Sequence, residues 1–240
     1  MSPAGERTIL SRYLAMKTAR ARRLTRLVFC FATASFLVAC QAPGNGVAPK
    51  ATGPQTLIVQ PGDVPGFQRC GTSGDVKAVL SDEKNRRSPA YDLNATEWEQ
   101  WRRQGAVDAY FAVYGQTAAD CAAVVDSSGG APPGQLLVGI VVQFQDARDA
   151  ASNFHRDSTL MGLGPKDVRF IELAGGTTTF GSETGLGSDS VVGSAEVAGA
   201  HYFVAQWQNR SFESDFIGYD MAFDDARHAV MDVNRRILQA

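Results

Sequence analysis

The chain has 240 residues, 44% of them hydrophobic and 20% charged, which excludes a disordered tail, a collagen-like fibre and a multi-span membrane protein. The net charge of −2 averages two unlike parts: residues 1–39 carry 7 Lys/Arg and 1 Asp/Glu, and residues 40–240 carry 16 and 24. A body with a net charge of −8 repels phosphate backbones, so no nucleic-acid partner is expected.

The N-terminus reads as a targeting segment. Arg20, Arg22, Arg23 and Arg26 precede thirteen mostly apolar residues, Leu27 through Ala39, and then Cys40. Thirteen helical residues rise about 20 Å, short of the roughly 30 Å hydrocarbon core, so a permanent span is a poor fit and a secretory h-region a good one. A start at Met16 would leave a 24-residue leader. The junction Leu37-Val38-Ala39-Cys40 resembles the lipobox of bacterial lipoproteins. That resemblance implies cleavage before Cys40, acylation of its sulfur and a further acyl chain on the new N-terminus in many species. Two chains suffice for stable anchoring, at about 0.8 kcal/mol per buried CH₂. The alternative is an ordinary signal peptide with a chance cysteine; Cys30 lies inside the apolar run and would be removed with it.

Residues 41–56 are rich in Pro and Gly and read as a flexible tether after Cys40. Their mean reach is about 22 Å by random-coil scaling. The division expected is therefore signal peptide 1–39, lipidated cysteine and tether 40–56, and one folded domain 57–240, outside the cytoplasm and held to a membrane by lipid. In that compartment the two remaining cysteines, Cys70 and Cys121, are expected to form a disulfide, worth about 4 kcal/mol on the loop-entropy model. A catalytic thiol is the sharper alternative, but none of His155, His201 and His228 is near in sequence.

Ala95–Gln104 reads as a short helix capped by Asn94, and Val107–Tyr114 as a strand. Residues 138–150 and 217–229 match at an offset of 79: Gly139/Gly218, Phe144/Phe223, Asp146/Asp225, Ala147/Ala226, Arg148/Arg227 and Ala150/Ala229, with Arg156/Arg235 beyond. Each copy reads as an apolar strand, a capping Asp and a helix. The first helix would bury Ala147, Ala150, Ala151 and Phe154; the second Ala226, Ala229, Val230, Val233 and Ile237. Val168–Leu173 and Ser190–Val197 are further candidate strands, Gly175–Gly187 a surface loop, and Ser81–Ser88 a solvated loop. His201–Gln208 precedes the second copy, with Asn209-Arg210 as the turn. The fold class expected is α+β: an antiparallel sheet with helices on one face, built from two pseudo-repeated strand–strand–helix units at 107–160 and 201–239.

No His-Glu-x-x-His, Cys-x-x-Cys or Gly-x-Ser-x-Gly motif is present, so no cofactor or metal is called for. Gly162-Leu163-Gly164 and Gly185-Leu186-Gly187 are incomplete as phosphate loops. Ser81-Asp82-Glu83-Lys84 lacks the companion motifs of penicillin-binding proteins. Trp98 and Trp101, at i and i+3, and Trp207 are the candidate ligand-binding residues if exposed, and core residues otherwise.

The leader, the tether, Asp63-Val64-Pro65-Gly66-Phe67 and the strand–strand–helix units are together similar to uncharacterised exported lipoproteins. More distantly they resemble extracellular sensor domains of actinobacterial kinases. The resemblance implies a non-enzymatic domain that binds an envelope ligand or a protein partner. The alternatives are a cell-envelope hydrolase using carboxylates such as Glu97, Glu99 and Asp215, or a structural envelope protein.

Overall fold

The computed structural model describes residues 52–240 apart from 89, 127–133, 156–164 and 198. In chain order the described elements are α1 (Pro54–Leu57), β1 (Gln68–Arg69), β2 (Gly74–Asp75), α2 (Val76–Asn85), α3 (Tyr91–Arg103), β3 (Ala106–Gly115), α4 (Ala118–Asp126), β4 (Leu136–Phe144), α5 (Ala147–Phe154), α6 (Pro165–Leu173), β5 (Thr177–Phe180), a 3₁₀ turn (Gly181–Thr184), β6 (Ser190–Val197), β7 (Ala200–Asn209), β8 (Phe212–Tyr219) and α7 (Phe223–Gln239). The strands form one antiparallel sheet in the order β1-β3-β4-β8-β7-β6-β5, with β2 also paired to β3.

The strand–strand–helix order occurs twice, as β3–β4–α5 and β7–β8–α7, and the two pairs meet where β4 lies against β8. Val138 is directly opposite Ile217, its match in the sequence repeat. The strands of the second pair are joined by Arg210-Ser211, with Arg210 left-handed (φ 54°); the turn lies one residue later than Asn209-Arg210. The first pair is joined through α4.

The α+β class and the antiparallel sheet are those expected, but the helices, expected on one face, cover both. Leu137 and Val141 of β4 point to a first face and pack with Phe216, Trp207 and the α7 stripe Ala226, Ala229, Val230, Val233 and Ile237. Ile140, Val142 and Phe144 point to the second face and pack with Trp98, Trp101 and Ala150. Ile171 of α6 joins that second face through Ala195 and Val204. A strand buried on both sides shows no alternation, which is why β4 reads as an unbroken apolar run. The two repeat helices separate because the chain leaves β8 early, through left-handed Asp220 (φ 50°). Phe144 is still paired in β4, whereas its match Phe223 already begins α7.

Other boundaries depart from expectation for local reasons. Asp146 caps α5, accepting from Arg148 N at 2.8 Å and Asp149 N at 2.9 Å. Asp225 caps nothing and sits in the first turn of α7, where its charge favours the helix dipole. In α5 Ala147 is exposed and Asn153 takes a core position. Val168–Leu173 is helix rather than strand, set by Pro165 at its first residue and by Ile171 facing the sheet. Within Gly175–Gly187, Thr177–Phe180 is a strand, as β-branched threonines permit. Ser81–Asn85 is helical because Asp75 caps α2, accepting from Lys77 N at 2.8 Å. Asn94 lies inside α3 and donates to Glu83 Oε1 at 2.8 Å instead of capping.

A disulfide joins Cys70, just after β1, to Cys121 in α4, with Cα atoms 5.3 Å apart. Arg236 in the last turns of α7 donates to both oxygens of Asp63 (3.1 and 2.6 Å) and to the carbonyls of Leu57 (2.9 Å) and Ile58 (3.1 Å). Tyr114 OH adds a bond to Val59 O at 3.1 Å. The start of the folded domain is thereby fixed to the C-terminal end of α7.

Gly139 is the tightest point of the central strand pair. A Cβ there would lie 2.1 Å from Cε1 of Phe216, whose ring stacks on Trp207 at 5.4 Å. Gly139→Ala is expected to lower stability by about 1–3 kcal/mol through overpacking, measured as a lower denaturant midpoint; an unchanged midpoint would contradict the packing described.

Candidate functional site

Two features carry chemistry. The first is a concavity of about 260 Å³ on the first face, where the ends of β5, β6 and β7 run beyond the start of α7. Phe203 and Phe223 form its apolar wall, edge to face with centroids 5.5 Å apart. Thr177 and Ser194 line it with hydroxyls 3.2 Å apart. Glu196 and His201, opposite each other in the β6–β7 register and both exposed, bring one carboxylate and one imidazole to its rim. An apolar wall with a few convergent polar groups is the pattern of a recognition site, and this volume suits a side chain or a small ligand rather than a drug-sized molecule.

The second is a polar layer buried between the second face and the helices. Glu213 and Asp215 alternate with Phe212, Ser214 and Phe216 along β8, so both acids point away from the aromatic core. Asn153 Nδ2 donates to Glu213 Oε2 at 2.6 Å, and Gln206 Nε2 to Glu213 Oε1 at 3.1 Å. Asp215 is 1% exposed, and neither carboxyl oxygen has a hydrogen-bond partner among the described residues. Burial, with the nearby charges of Glu213 and then Glu97, pushes its pKa well above the usual carboxylate range. The group therefore holds its proton where an exposed aspartate would not. Solvent does not reach it, so it is not placed to attack or protonate a substrate.

The residues singled out in the sequence divide between these places. Trp98 and Trp101 are buried on the second face and Trp207 on the first; they are core residues on opposite sides of the sheet and share no stacking surface. Glu97 and Asp215 do come together in the buried layer, whereas Glu99 lies on the surface in an ion pair with Arg102 at 3.2 Å. His155 faces Asp189 at 3.5 Å, and His201 and His228 are exposed on β7 and α7. Among the described residues no group of three or more His, Cys, Asp or Glu converges as a metal site. Gly185 and Gly187 adopt left-handed turns (φ 81° and 121°) around buried Leu186, a packing motif rather than a phosphate loop. Cys40, its preceding Leu37–Ala39, Cys30, Met16, residues 41–51 of the tether, Arg156 and Gly162–Gly164 lie outside the described residues. Glu213, Asn153, Gln206 and the concavity are new. The alternation from Phe212 to Phe216 was the available signal for Glu213.

In sequence the chain matches no protein-family model and no curated protein. In structure it is similar to the extracellular domain of PknH from Mycobacterium tuberculosis, at 11% identity and a TM-score of 0.42, over 78% of this chain and 95% of that one.

An acid whose folded pKa lies above its unfolded value stabilises the fold fully only below the unfolded value, and that stability is lost as pH rises. For Asp215 the loss begins at about pH 4, the ordinary carboxylate value. Asp215→Asn is thus expected to gain on the wild type as pH rises from about 4 to about 7, measured by denaturation across that range. A difference independent of pH would contradict the buried, proton-holding state.

Proposed function

We propose that the chain is a lipid-anchored lipoprotein of the bacterial cell envelope, whose extracytoplasmic domain binds a ligand or protein partner without catalysis. The Cys70–Cys121 disulfide supports the compartment, because such bonds persist outside the reducing cytoplasm. It agrees with the basic, apolar and Cys40-terminated leader.

The observation that carries the binding reading is the placement of the concavity on α7. Arg236 ties the start of the folded domain to one end of this 17-residue helix, and Phe223 lines the concavity at the other. At 1.5 Å per residue the two points are about 20 Å apart along the rod. A flexible tether from Cys40 would therefore enter the domain beside the Arg236 end of α7 and leave the concavity at the other end unobstructed. The hydrolase reading loses support because Glu97 and Asp215 are sealed from solvent.

Cys40→Ser is expected to move the protein from the membrane fraction to the soluble fraction; continued extraction only with detergent would contradict acylation. Native mass spectrometry of protein purified from the envelope of its host is expected to show extra mass that is lost on denaturation and reduced by Phe223→Asp. A bare polypeptide under conditions that retain envelope components would contradict the binding reading.

A further inference from the structure

The two margins of the sheet are finished differently. Beside β3, β1 and β2 are two-residue strands that carry charge: Arg69 lies over the Tyr110 ring at 5.2 Å, and Asp75 caps α2. The disulfide closes this margin next to Cys70. Short, charged strands of this kind protect an edge from adding a further strand.

At the opposite margin β5 pairs with β6 alone among the described residues. From Ala174 to Ser182 the chain reads Ala-Gly-Gly-Thr-Thr-Thr-Phe-Gly-Ser, with no charge and no proline. Leu173 and Phe180, 77% and 56% exposed, bracket the strand and are the two most exposed large apolar side chains among the described residues. A neutral, β-branched edge with exposed apolar residues is a template for strand pairing.

We propose that β5 pairs antiparallel with β5 of a second copy of the chain, about a two-fold axis through Thr179. Side-chain alternation restricts the register, since paired residues must face the same side. Thr178 and Phe180 lie opposite Gly193 and Val191 and point to the second face. With Thr179 opposite itself, Phe180 of each copy lies against Thr178 of the other, and the symmetry makes this aromatic–β-branched pair twice. The occupant follows from this self-complementarity, since only a second copy supplies the same pair twice. The body carries a net −8 and exposed Glu172 and Glu183 flank this window, yet the paired residues Thr177–Gly181 are neutral and self-complementary, so a second copy meets like charge only at the two ends of the contact. A charged foreign segment would find no complement along those paired residues. Four residues per strand make a small interface, with affinity on the order of micromolar or weaker. Repulsion between two acidic bodies makes the dimer stronger as salt rises.

The test is sedimentation equilibrium of the chain released from membranes, from micromolar to millimolar, at low and high salt. The expected result is a mass that doubles with concentration and shifts toward dimer in salt. Thr179→Lys and Phe180→Lys should each return the monomer while leaving the thermal unfolding midpoint near that of wild type. Thr179→Cys should form a disulfide-linked dimer on mild oxidation much faster than Thr177→Cys. A monomer at every concentration and salt, a dimer indifferent to both lysine variants, or a foreign peptide displaced by those variants would overturn the proposal.

Discussion

The two halves of the fold join along the β4–β8 pairing, and the closest fit of that seam is the Phe216 ring over Gly139, where no Cβ could be accommodated. Gly139 and Phe216 are paired residues of β4 and β8. Without a Cβ at 139 the ring lies across the neighbouring strand and stacks on Trp207. Leu137 and Val141 then close around it with the α7 stripe. On the reverse side of the same two strands, Ile140 and Val142 contribute to the cluster of Trp98 and Trp101, and Glu213 and Asp215 lie in the polar layer. One strand pair thus sets the register of both cores.

What was legible in the sequence was what depends on short-range pattern. Ser190–Val197 is a strand with those bounds, Val107–Tyr114 and His201–Gln208 fall within β3 and β7, and the five apolar positions of α7 are all buried. Cys70 and Cys121 are bonded. What was not legible depends on tertiary choice. The offset of 79 aligns Asp146 with Asp225, but only one of them caps a helix, because a turn at Asp220 decides where α7 begins. The same turn sends α7 to the opposite face from α5. Thr177–Phe180 lies among glycines and serines that suggest a loop, and it becomes a strand only because β6 is there to pair with it. Trp98, Trp101 and Trp207 read equally as binding or core residues until their burial is known.

The candidate site was less legible than the fold. Its lining comes from the starts of β5 and β7, the end of β6 and the beginning of α7, four places with no shared motif. The buried carboxylates were visible as residues, but their roles were not. Glu97 and Asp215 approach each other only because α3 covers the face to which β8 turns its acids, and Asn153 reaches Glu213 from α5, sixty residues away in sequence. This layer bears on stability and its pH dependence, while the proposed recognition belongs to the exposed concavity at the far end of α7.

The proposed lipid on Cys40 would hold the domain at a membrane, and the Arg236–Asp63 pair fixes the start of the folded domain to α7. The most direct measurement is the intact mass of the protein extracted from the membranes of its host. The account predicts a chain beginning at Cys40 and carrying the mass of at least two acyl chains, with Cys70 and Cys121 oxidised. A chain retaining residues before Cys40, or beginning there with an unmodified thiol, would contradict it.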